Sequence, residues 1–143
     1  MKVFTRVLSL TLIAVMLCFS LVSCGKKVKA GEYVLGDPAL TGCYYSYVFD
    51  GTSFSYNTYI SYVKQEDPHL AYSGKYKIEV IESEDKEARQ ADKDNGITRG
   101  NITFTWDDAS GATQTMTKSV VIDKVNSTFT LDGAVYVLYE AGQ

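Results

Sequence analysis

Apolar and polar side chains alternate with a period of two along much of the chain beyond residue 31, and this pattern constrains the fold most strongly. Successive side chains of a β-strand point to opposite faces, so the alternation predicts strands with one face in a core and the other in water. The predicted core faces carry Tyr45, Tyr47 and Phe49; Phe54, Tyr56, Thr58, Ile60 and Tyr62; Tyr76, Ile78 and Val80; and Ile102, Phe104 and Trp106. Further β-rich runs at residues 32–35, 120–122, 129–131 and 135–139 bring the predicted total to about eight strands.

Two Asp-Gly pairs between β-rich flanks predict tight hairpins. Asp50-Gly51 and Asp132-Gly133 suit two-residue type I′ turns, in which both central residues need positive φ. The connections at 107–111 and 124–126 are also short. We therefore expect an all-β domain, an antiparallel up-and-down meander of about eight strands that forms a barrel or a half-open barrel, with a sandwich as the alternative.

Residues 82–95 interrupt the β pattern. They include six acidic and three basic residues, and alanines are their only apolar residues. Residues 84–91 are predicted to form a short helix with Ser83 as its N-cap and Asp85–Arg89 as an i,i+4 pair. The alternative is a mobile loop, and both alternatives place the segment on the surface.

The first 23 residues predict an export signal. Lys2 and Arg6 give a positively charged start, and the apolar run 7–19 suits a signal peptide but is short for a membrane span. The segment Leu21-Val22-Ser23-Cys24 resembles a lipobox, the processing motif of bacterial lipoproteins. The resemblance implies cleavage between Ser23 and Cys24 and a diacylglycerol lipid on Cys24. A cleaved secretory signal that ends in a cysteine by chance is the alternative.

This interpretation divides the chain into a signal peptide (1–23), a lipidated tether (24–30) and a β-barrel domain (31–143). Two acyl chains attach a protein stably to a membrane, whereas one gives reversible binding. The predicted location is therefore the extracytoplasmic face of a cell membrane, at the cell surface or in the periplasm. Residues 25–30 are expected to be a flexible coil spanning about 13 Å, whose three lysines either contact anionic head groups or are simply solvated.

The charge balance argues against a nucleic-acid partner. The chain has 14 basic and 17 acidic residues, and removal of Lys2 and Arg6 with the signal leaves 12 basic residues and a net charge near −5. Nucleic-acid binding calls for a basic face instead.

Only one of the three cysteines remains a thiol in the predicted mature chain. Cys18 leaves with the signal and Cys24 carries the lipid, so Cys43 has no partner for an intramolecular disulfide. Cys43 is expected to be a small buried side chain, with a reactive or intermolecular thiol as the alternative.

The sequence offers no constellation for catalysis, a cofactor or a metal. His69, the only histidine, follows Asp67-Pro68 in a predicted turn and is expected to be exposed. The segment Asp92-Lys93-Asp94-Asn95-Gly96 superficially suggests a calcium loop, but its glycine is out of register with the ligand positions of an EF-hand. A solvated, charge-rich loop is favoured over weak calcium binding. We expect no enzymatic activity, no cofactor and no metal site.

Four segments resemble the small lipocalin-like lipoproteins of bacteria. They are Gly31-Glu32-Tyr33-Val34-Leu35, Tyr47-Val48-Phe49-Asp50-Gly51, Gly74-Lys75-Tyr76-Lys77-Ile78 and Thr130-Leu131-Asp132-Gly133. The resemblance covers most of residues 31–139 and implies a barrel-like meander without catalytic residues. Ser73-Gly74-Lys75-Tyr76 is also similar to the Ser-Gly-x-x-Tyr motif of membrane-bound lysozyme inhibitors, although its tyrosine comes one residue early.

These patterns together predict a lipid-anchored binding module. Its membrane contact is the lipid on Cys24, and its ligand is a small apolar molecule in the barrel or a protein at the rim. The alternative is an interaction or inhibitory lipoprotein that acts on a protein partner through surface loops or tyrosines. All 11 tyrosines lie in the mature chain and are expected mainly to build strands and core, so a filled interior is at least as expected as a cavity.

Overall fold

The computed structural model describes residues 26–35, 43–60 and 69–140. Within these ranges the chain forms eight β-strands and one helix. The elements are β1 (Gly31–Leu35), β2 (Cys43–Asp50), β3 (Ser53–Ile60), β4 (His69–Val80), α1 (Lys86–Asp94), β5 (Ile97–Asp107), β6 (Thr113–Asp123), β7 (Thr128–Leu131) and β8 (Ala134–Leu138). The single helix of the described residues, α1, is neither long nor apolar enough to cross a membrane.

The eight strands form a closed antiparallel barrel in which each strand pairs with its neighbours in the chain. β1 and β8 close it, with Tyr33 opposite Leu138 and Val34 opposite Val137. On its other edge β1 pairs with β2, and Tyr33 lies opposite Tyr47. Closure leaves none of the described strands at an exposed sheet edge. The predicted up-and-down meander of about eight strands is confirmed, and the sandwich alternative is wrong.

Most residues of the predicted apolar faces supply the core inside the barrel, but Val80 and Tyr45, which lie near strand ends, are exposed. Phe49, Phe104 and Phe129 are among its most deeply buried side chains. The same cluster contains Val28, Tyr33, Tyr47, Phe54, Tyr76, Ile78, Ile102, Val120, Ile122, Leu131 and Tyr136. Full burial of one such large apolar side chain contributes about 1.5–3 kcal/mol, so this core is a major favourable contribution to the stability of the barrel.

Two polar residues of the predicted water-facing sides are buried. Ser46 and Asn57 face away from the core cluster, as their alternation predicts, yet both are almost inaccessible to solvent. They lie opposite each other on β2 and β3, and Ser46 also lies opposite the buried Val34. The prediction that these two side chains are solvated is therefore wrong.

The two predicted hairpins differ in their turns. Asp132 and Gly133 both have positive φ, 45° and 88°, which confirms the predicted type I′ pattern. In the first hairpin Asp50 pairs with Ser53, so the central residues are Gly51 and Thr52 rather than Asp50-Gly51. Only Gly51 has positive φ there, at 60°, which is the pattern expected of a type II′ turn.

Two strands are longer than their apolar runs suggested. β6 begins at Thr113, seven residues before the predicted run at 120–122, because its first half alternates threonines with polar or flexible side chains. β4 begins at His69, well before Tyr76, and includes a β-bulge: Tyr56 pairs with Tyr72 and Asn57 with Leu70, which leaves Ala71 as the extra residue.

The predicted exposed helix exists, but its details differ. α1 has no buried residue, and its N-cap is Asp85, whose carboxylate accepts hydrogen bonds from the N–H groups of Glu87 and Ala88 at 2.8 and 3.3 Å. The predicted cap, Ser83, instead accepts a hydrogen bond from the Asp85 N–H at 3.2 Å. Asp85 is therefore engaged at the helix start, and Arg89 pairs with Glu82 at 3.9 Å in place of the predicted i,i+4 pair.

Candidate ligand-binding site at the barrel mouth

The barrel has two dissimilar ends. One end, here called the closed end, carries residues 26–30, the turn between β2 and β3, and the connection that contains α1. The opposite end, here called the mouth, carries the last residues of β3 and β5 and the turn between β7 and β8. Because neighbouring strands are antiparallel, each end collects alternate connections.

Val28 plugs the closed end. Its side chain is 3% exposed and belongs to the core cluster. Its backbone N–H donates to the Tyr76 hydroxyl at 3.1 Å, and this hydroxyl donates to the Gly51 carbonyl at 2.8 Å. The Tyr33 hydroxyl donates to the Lys29 carbonyl at 3.2 Å. This part of the chain is fixed against the barrel, unlike the flexible coil predicted for the whole tether.

Aromatic rings fill the interior above this plug. The Tyr47 ring centroid lies 5.2 Å from that of Phe104, 5.9 Å from Phe129 and 5.3 Å from Tyr136. Phe49 contacts Phe129 at a centroid separation of 5.0 Å. Such separations are those of rings in contact, so side chains occupy this part of the barrel and any space for a ligand lies nearer the mouth.

Four partly exposed rings form a row at the mouth, here called the aromatic row: Tyr45 on β2, Tyr56 on β3, Tyr72 on β4 and Trp106 on β5. Stacked contacts join consecutive members. The centroid separations are 6.3 Å between Tyr45 and Tyr56, 5.0 Å between Tyr56 and Tyr72, and 4.5 Å between Tyr72 and Trp106. The corresponding interplanar angles are 3°, 29° and 22°. One apolar surface thus extends across four consecutive strands.

Strand register brings the row together. Tyr56 lies directly opposite Tyr72, which shares the inner face of β4 with Tyr76, four residues later. Trp106 lies opposite Gly74, and since glycine has no side chain the indole stacks on its diagonal neighbour Tyr72. Sequence analysis missed Tyr72 because Gly74 interrupts the alternating run. Its even spacing from Tyr76 was the available signal.

The nearby hydroxyls are neutral at neutral pH, and burial moves their pKa further above the ordinary value of about 10. Desolvation raises the pKa of Tyr56 to about 12 and also raises the pKa of Tyr47 and of Tyr136. A hydrogen bond with Tyr72 raises the pKa of Tyr47 further. The site therefore presents uncharged rings and hydroxyl groups, which suit an uncharged ligand with an apolar body.

The polar rim beside Trp106 is a tightly hydrogen-bonded turn. Asp108 accepts hydrogen bonds from the N–H groups of Ser110 and Ala112 at 2.9 and 3.1 Å, and from Gln114 Nε2 at 2.8 Å. Hydrogen bonds from the side chains of Ser110 and Gln114 lower the pKa of Asp108 to about 2. This carboxylate is ionised and stabilises the turn, which is not the state of a general acid at neutral pH.

The residues singled out from the sequence lie apart from the aromatic row or outside the description. Ser23 and Cys24, the predicted cleavage and lipid-attachment residues, lie outside the described ranges, as does the rest of the leader. Cys43 begins β2 and His69 begins β4, so both backbone positions are at the mouth, and His69 is in a strand rather than in the predicted turn. The side chains of these two residues are not among those described.

The acidic residues that suggested a calcium loop have protein partners. Asp92 accepts two hydrogen bonds from the Arg99 guanidinium, at 2.9 and 3.1 Å, and Asp94 accepts one from Gln90 at 2.8 Å. Over residues 26–35, 43–60 and 69–140, no group of three or more His, Cys, Asp or Glu side chains is placed to hold a metal ion.

A small cleft of about 90 Å³ lies between α1 and the closed end. Its lining includes Ile81, Glu82, Arg89, Asp92 and Arg99. Asp92 pairs with Arg99, and Arg89 pairs with Glu82, so these charged groups already have partners. The aromatic row is the candidate site that we favour, because its four stacked rings are partly exposed.

Comparisons with known proteins give no match: no family model, no curated protein and no solved structure matches the chain. The closed eight-stranded antiparallel barrel is itself consistent with a lipocalin-like fold. Function is inferred from the geometry of this barrel.

Proposed function

We propose that this chain is a lipid-anchored, exported binding module without catalytic activity, which holds a small uncharged ligand on the aromatic row. The observation that carries the proposal is the row itself, four partly exposed and stacked rings on consecutive strands. Ligand sites typically combine an apolar lining with a few polar groups that fix orientation. The tyrosine hydroxyls would supply those polar groups here.

The sequence supports a lipid anchor at Cys24, and the fold indicates which end of the barrel that anchor would hold near the membrane. The lipobox-like segment ends at Cys24, and the chain resembles the small lipocalin-like lipoproteins of bacteria. Val28 is fixed in the closed end four residues after Cys24, and extended chain spans about 3.5 Å per residue, so the closed end would stay within about 14 Å of the lipid. Trp106 lies about 30 Å along β5 from the closed end. The mouth would open away from the membrane.

The filled interior limits how a ligand can bind. Rings occupy the barrel around Tyr47, so a ligand would lie across the row near the mouth rather than deep along the axis. Each well-placed aromatic contact is worth about 0.5–1.5 kcal/mol beyond the area it buries. A ligand that touches two or three rings would be held reversibly.

Trp106 provides the test because it is the only tryptophan. We expect its fluorescence to change when the protein is titrated with fractions of a lipid and metabolite extract from the producing cells. Native mass spectra of the responding sample should show a small-molecule adduct that is lost on denaturation. Tyr72→Ala removes the ring stacked on Trp106 and should abolish both signals, whereas Tyr139→Ala, at the closed end, should preserve them. An unchanged spectrum together with an adduct-free mass would contradict the proposal.

A second candidate is an interaction or inhibitory lipoprotein, and the filled interior favours it. In this case Tyr45, which is half exposed, would contact a protein partner at the mouth, since tyrosine is frequent at interface hot spots. Tyr76, the tyrosine of the segment similar to lysozyme inhibitors, would not serve, because it is buried with its hydroxyl bonded at the closed end. Cross-linking from Tyr45 in cells, with loss of the cross-link in Tyr45→Ala, would identify such a partner.

A further inference from the structure

The exposed large apolar side chains of the described barrel concentrate at the closed end. Four of the seven, Val80, Ile81, Val125 and Tyr139, lie at or directly beyond strand ends there. Val135 and Val137 lie on the outer surface of β8, and Tyr45 lies at the mouth. Single exposed apolar residues are ordinary, but their concentration at one end of the barrel makes that end the most apolar part of the described surface.

Ile81 and Val125 are the clearest members of this group. Ile81 follows the last residue of β4 and is 54% exposed, and Val125, in the turn between β6 and β7, is 74% exposed. Backbone bonds fix both segments: the Ile81 N–H donates to the Arg99 carbonyl at 3.0 Å, and the Lys124 N–H donates to the Gly96 carbonyl at 3.2 Å. Both side chains are therefore displayed by ordered backbone.

We infer that the closed end sits on the lipid bilayer, with Ile81 and Val125 inserted among the acyl chains near the head groups. This inference rests on the lipid anchor of the proposed function. The tether length selects the bilayer as the occupant, since the closed end would lie within about 14 Å of the lipidated Cys24. Burial of exposed aliphatic side chains in the acyl phase is favourable, so two such contacts would restrict the orientation of an already anchored domain.

Charge at this end supports an apolar rather than an electrostatic contact. Lys26, Lys27 and Lys29 are exposed there, and lysines close to an anionic lipid surface are attracted to it. The exposed carboxylates Glu84, before α1, and Glu87, in its first turn, oppose this attraction. The contact should therefore change little with salt concentration.

The test uses the full-length chain, processed in a bacterial host and reconstituted in vesicles of phosphatidylethanolamine and phosphatidylglycerol. A photoactivated carbene probe dissolved in the acyl phase labels side chains that enter it, and mass spectrometry locates the labels. The same spectra report whether Cys24 carries a lipid. Val135 is an internal control, because it is 48% exposed but lies at the mouth end of β8.

We expect acylated Cys24 and several-fold stronger labelling at Ile81 and Val125 than at Val135, at low and at high salt. If Cys24 is acylated but the three positions are labelled equally or not at all, the contact of the closed end with the bilayer would be overturned, and the lipid anchor would stand. Unmodified Cys24 would overturn both the anchor and this contact. The double variant Ile81→Ser, Val125→Ser should lose the labels at those two positions. Labelling of Val135 and Val137 should not increase in this variant. If Val135 and Val137 were labelled more strongly than Ile81 and Val125 in the unsubstituted protein, the barrel would lie on its side.

Discussion

The backbone N–H of Val28 donates to the hydroxyl of Tyr76 at 3.1 Å, a contact between residues 48 positions apart that joins the chain before β1 to the middle of β4. The same hydroxyl donates to the Gly51 carbonyl at 2.8 Å. One phenolic oxygen thus satisfies two backbone groups at the closed end. Because buried backbone groups nearly always require a partner, the closure of this end depends on that oxygen.

Tyr76→Phe should therefore destabilise the protein although it keeps the ring. The buried Val28 N–H loses its partner, and an unsatisfied buried group costs about 1–3 kcal/mol, whereas the Gly51 carbonyl lies in an exposed turn that water can reach. Urea denaturation followed by circular dichroism measures the change. The matched control is Tyr139→Phe, which removes an exposed hydroxyl at the same end and should alter stability by less than about 0.5 kcal/mol. Equal midpoints for the two variants would show that the Tyr76 oxygen is dispensable.

Phe104→Ala should cost about 3–5 kcal/mol, because it removes a fully buried ring. This ring contacts Phe54 at a centroid separation of 4.6 Å and Tyr47 at 5.2 Å, and the cavity left behind cannot be filled by such rigid neighbours. Thr103→Ala, one residue earlier and on the outer face, loses only an exposed hydrogen bond to Thr117 and should cost less than about 1 kcal/mol. Similar free energies of unfolding for the two variants would contradict the assigned strand faces.

Local patterns predicted the strands because alternation is written in neighbouring residues. The faces of Ile102, Phe104 and Trp106 follow from period two alone, and Asp132-Gly133 carries its turn type in its own two residues. Asp50-Gly51 looks identical in sequence, yet pairing of Asp50 with Ser53 moves the turn by one residue. The register of a hairpin is a property of two strands, so a dipeptide alone does not determine it.

The candidate site depended on register and could not be predicted for that reason. Tyr72 and Trp106 stack only because β4 and β5 place Gly74 opposite Trp106. Val28 likewise looks like a linker residue in sequence, since its partner is 48 positions away. Residues whose roles arise from contacts between distant segments were missed, whereas residues whose roles arise from their own strand were found.

Asp85→Ala should loosen α1 without unfolding the barrel. The Asp85 carboxylate caps the N–H groups of Glu87 and Ala88, and loss of such a cap costs about 0.5–2 kcal/mol of helix stability. The helix has no buried residue, so this loss should appear as faster protease cleavage within residues 82–95. Glu84→Ala, an exposed neighbour, is the control and should be cleaved at the rate of the unsubstituted protein. Cleavage at other turns first, in all three proteins, would argue that α1 is firmly docked.

Gly74→Ala should destabilise the barrel through a backbone clash. A Cβ atom at residue 74 would lie 2.0 Å from the Thr105 carbonyl oxygen, and relief requires β4 and β5 to separate. Forcing an extra carbon into a packed site typically costs about 1–3 kcal/mol. Ser73→Ala, at the exposed position before it, should be nearly neutral. Because Gly74 lies opposite Trp106, the variant should also shift the Trp106 emission, and an unchanged spectrum with unchanged stability would refute the close approach.

Stability should fall in alkaline solution from about pH 10 upward, where unperturbed tyrosines ionise. Desolvation raises the pKa of Tyr56 to about 12 and raises that of Tyr33, Tyr47, Tyr76 and Tyr136. Between these limits the unfolded chain has lost phenolic protons that the folded chain retains, so the unfolded state binds fewer protons and the free energy of unfolding decreases as pH rises. Below about pH 10 both states hold these protons and the contribution is constant. Urea midpoints measured across this range, with tyrosinate absorbance as the ionisation signal, test the sign. If the urea midpoint stayed constant up to about pH 12 and all phenols ionised over the same pH range, these hydroxyls would not be buried.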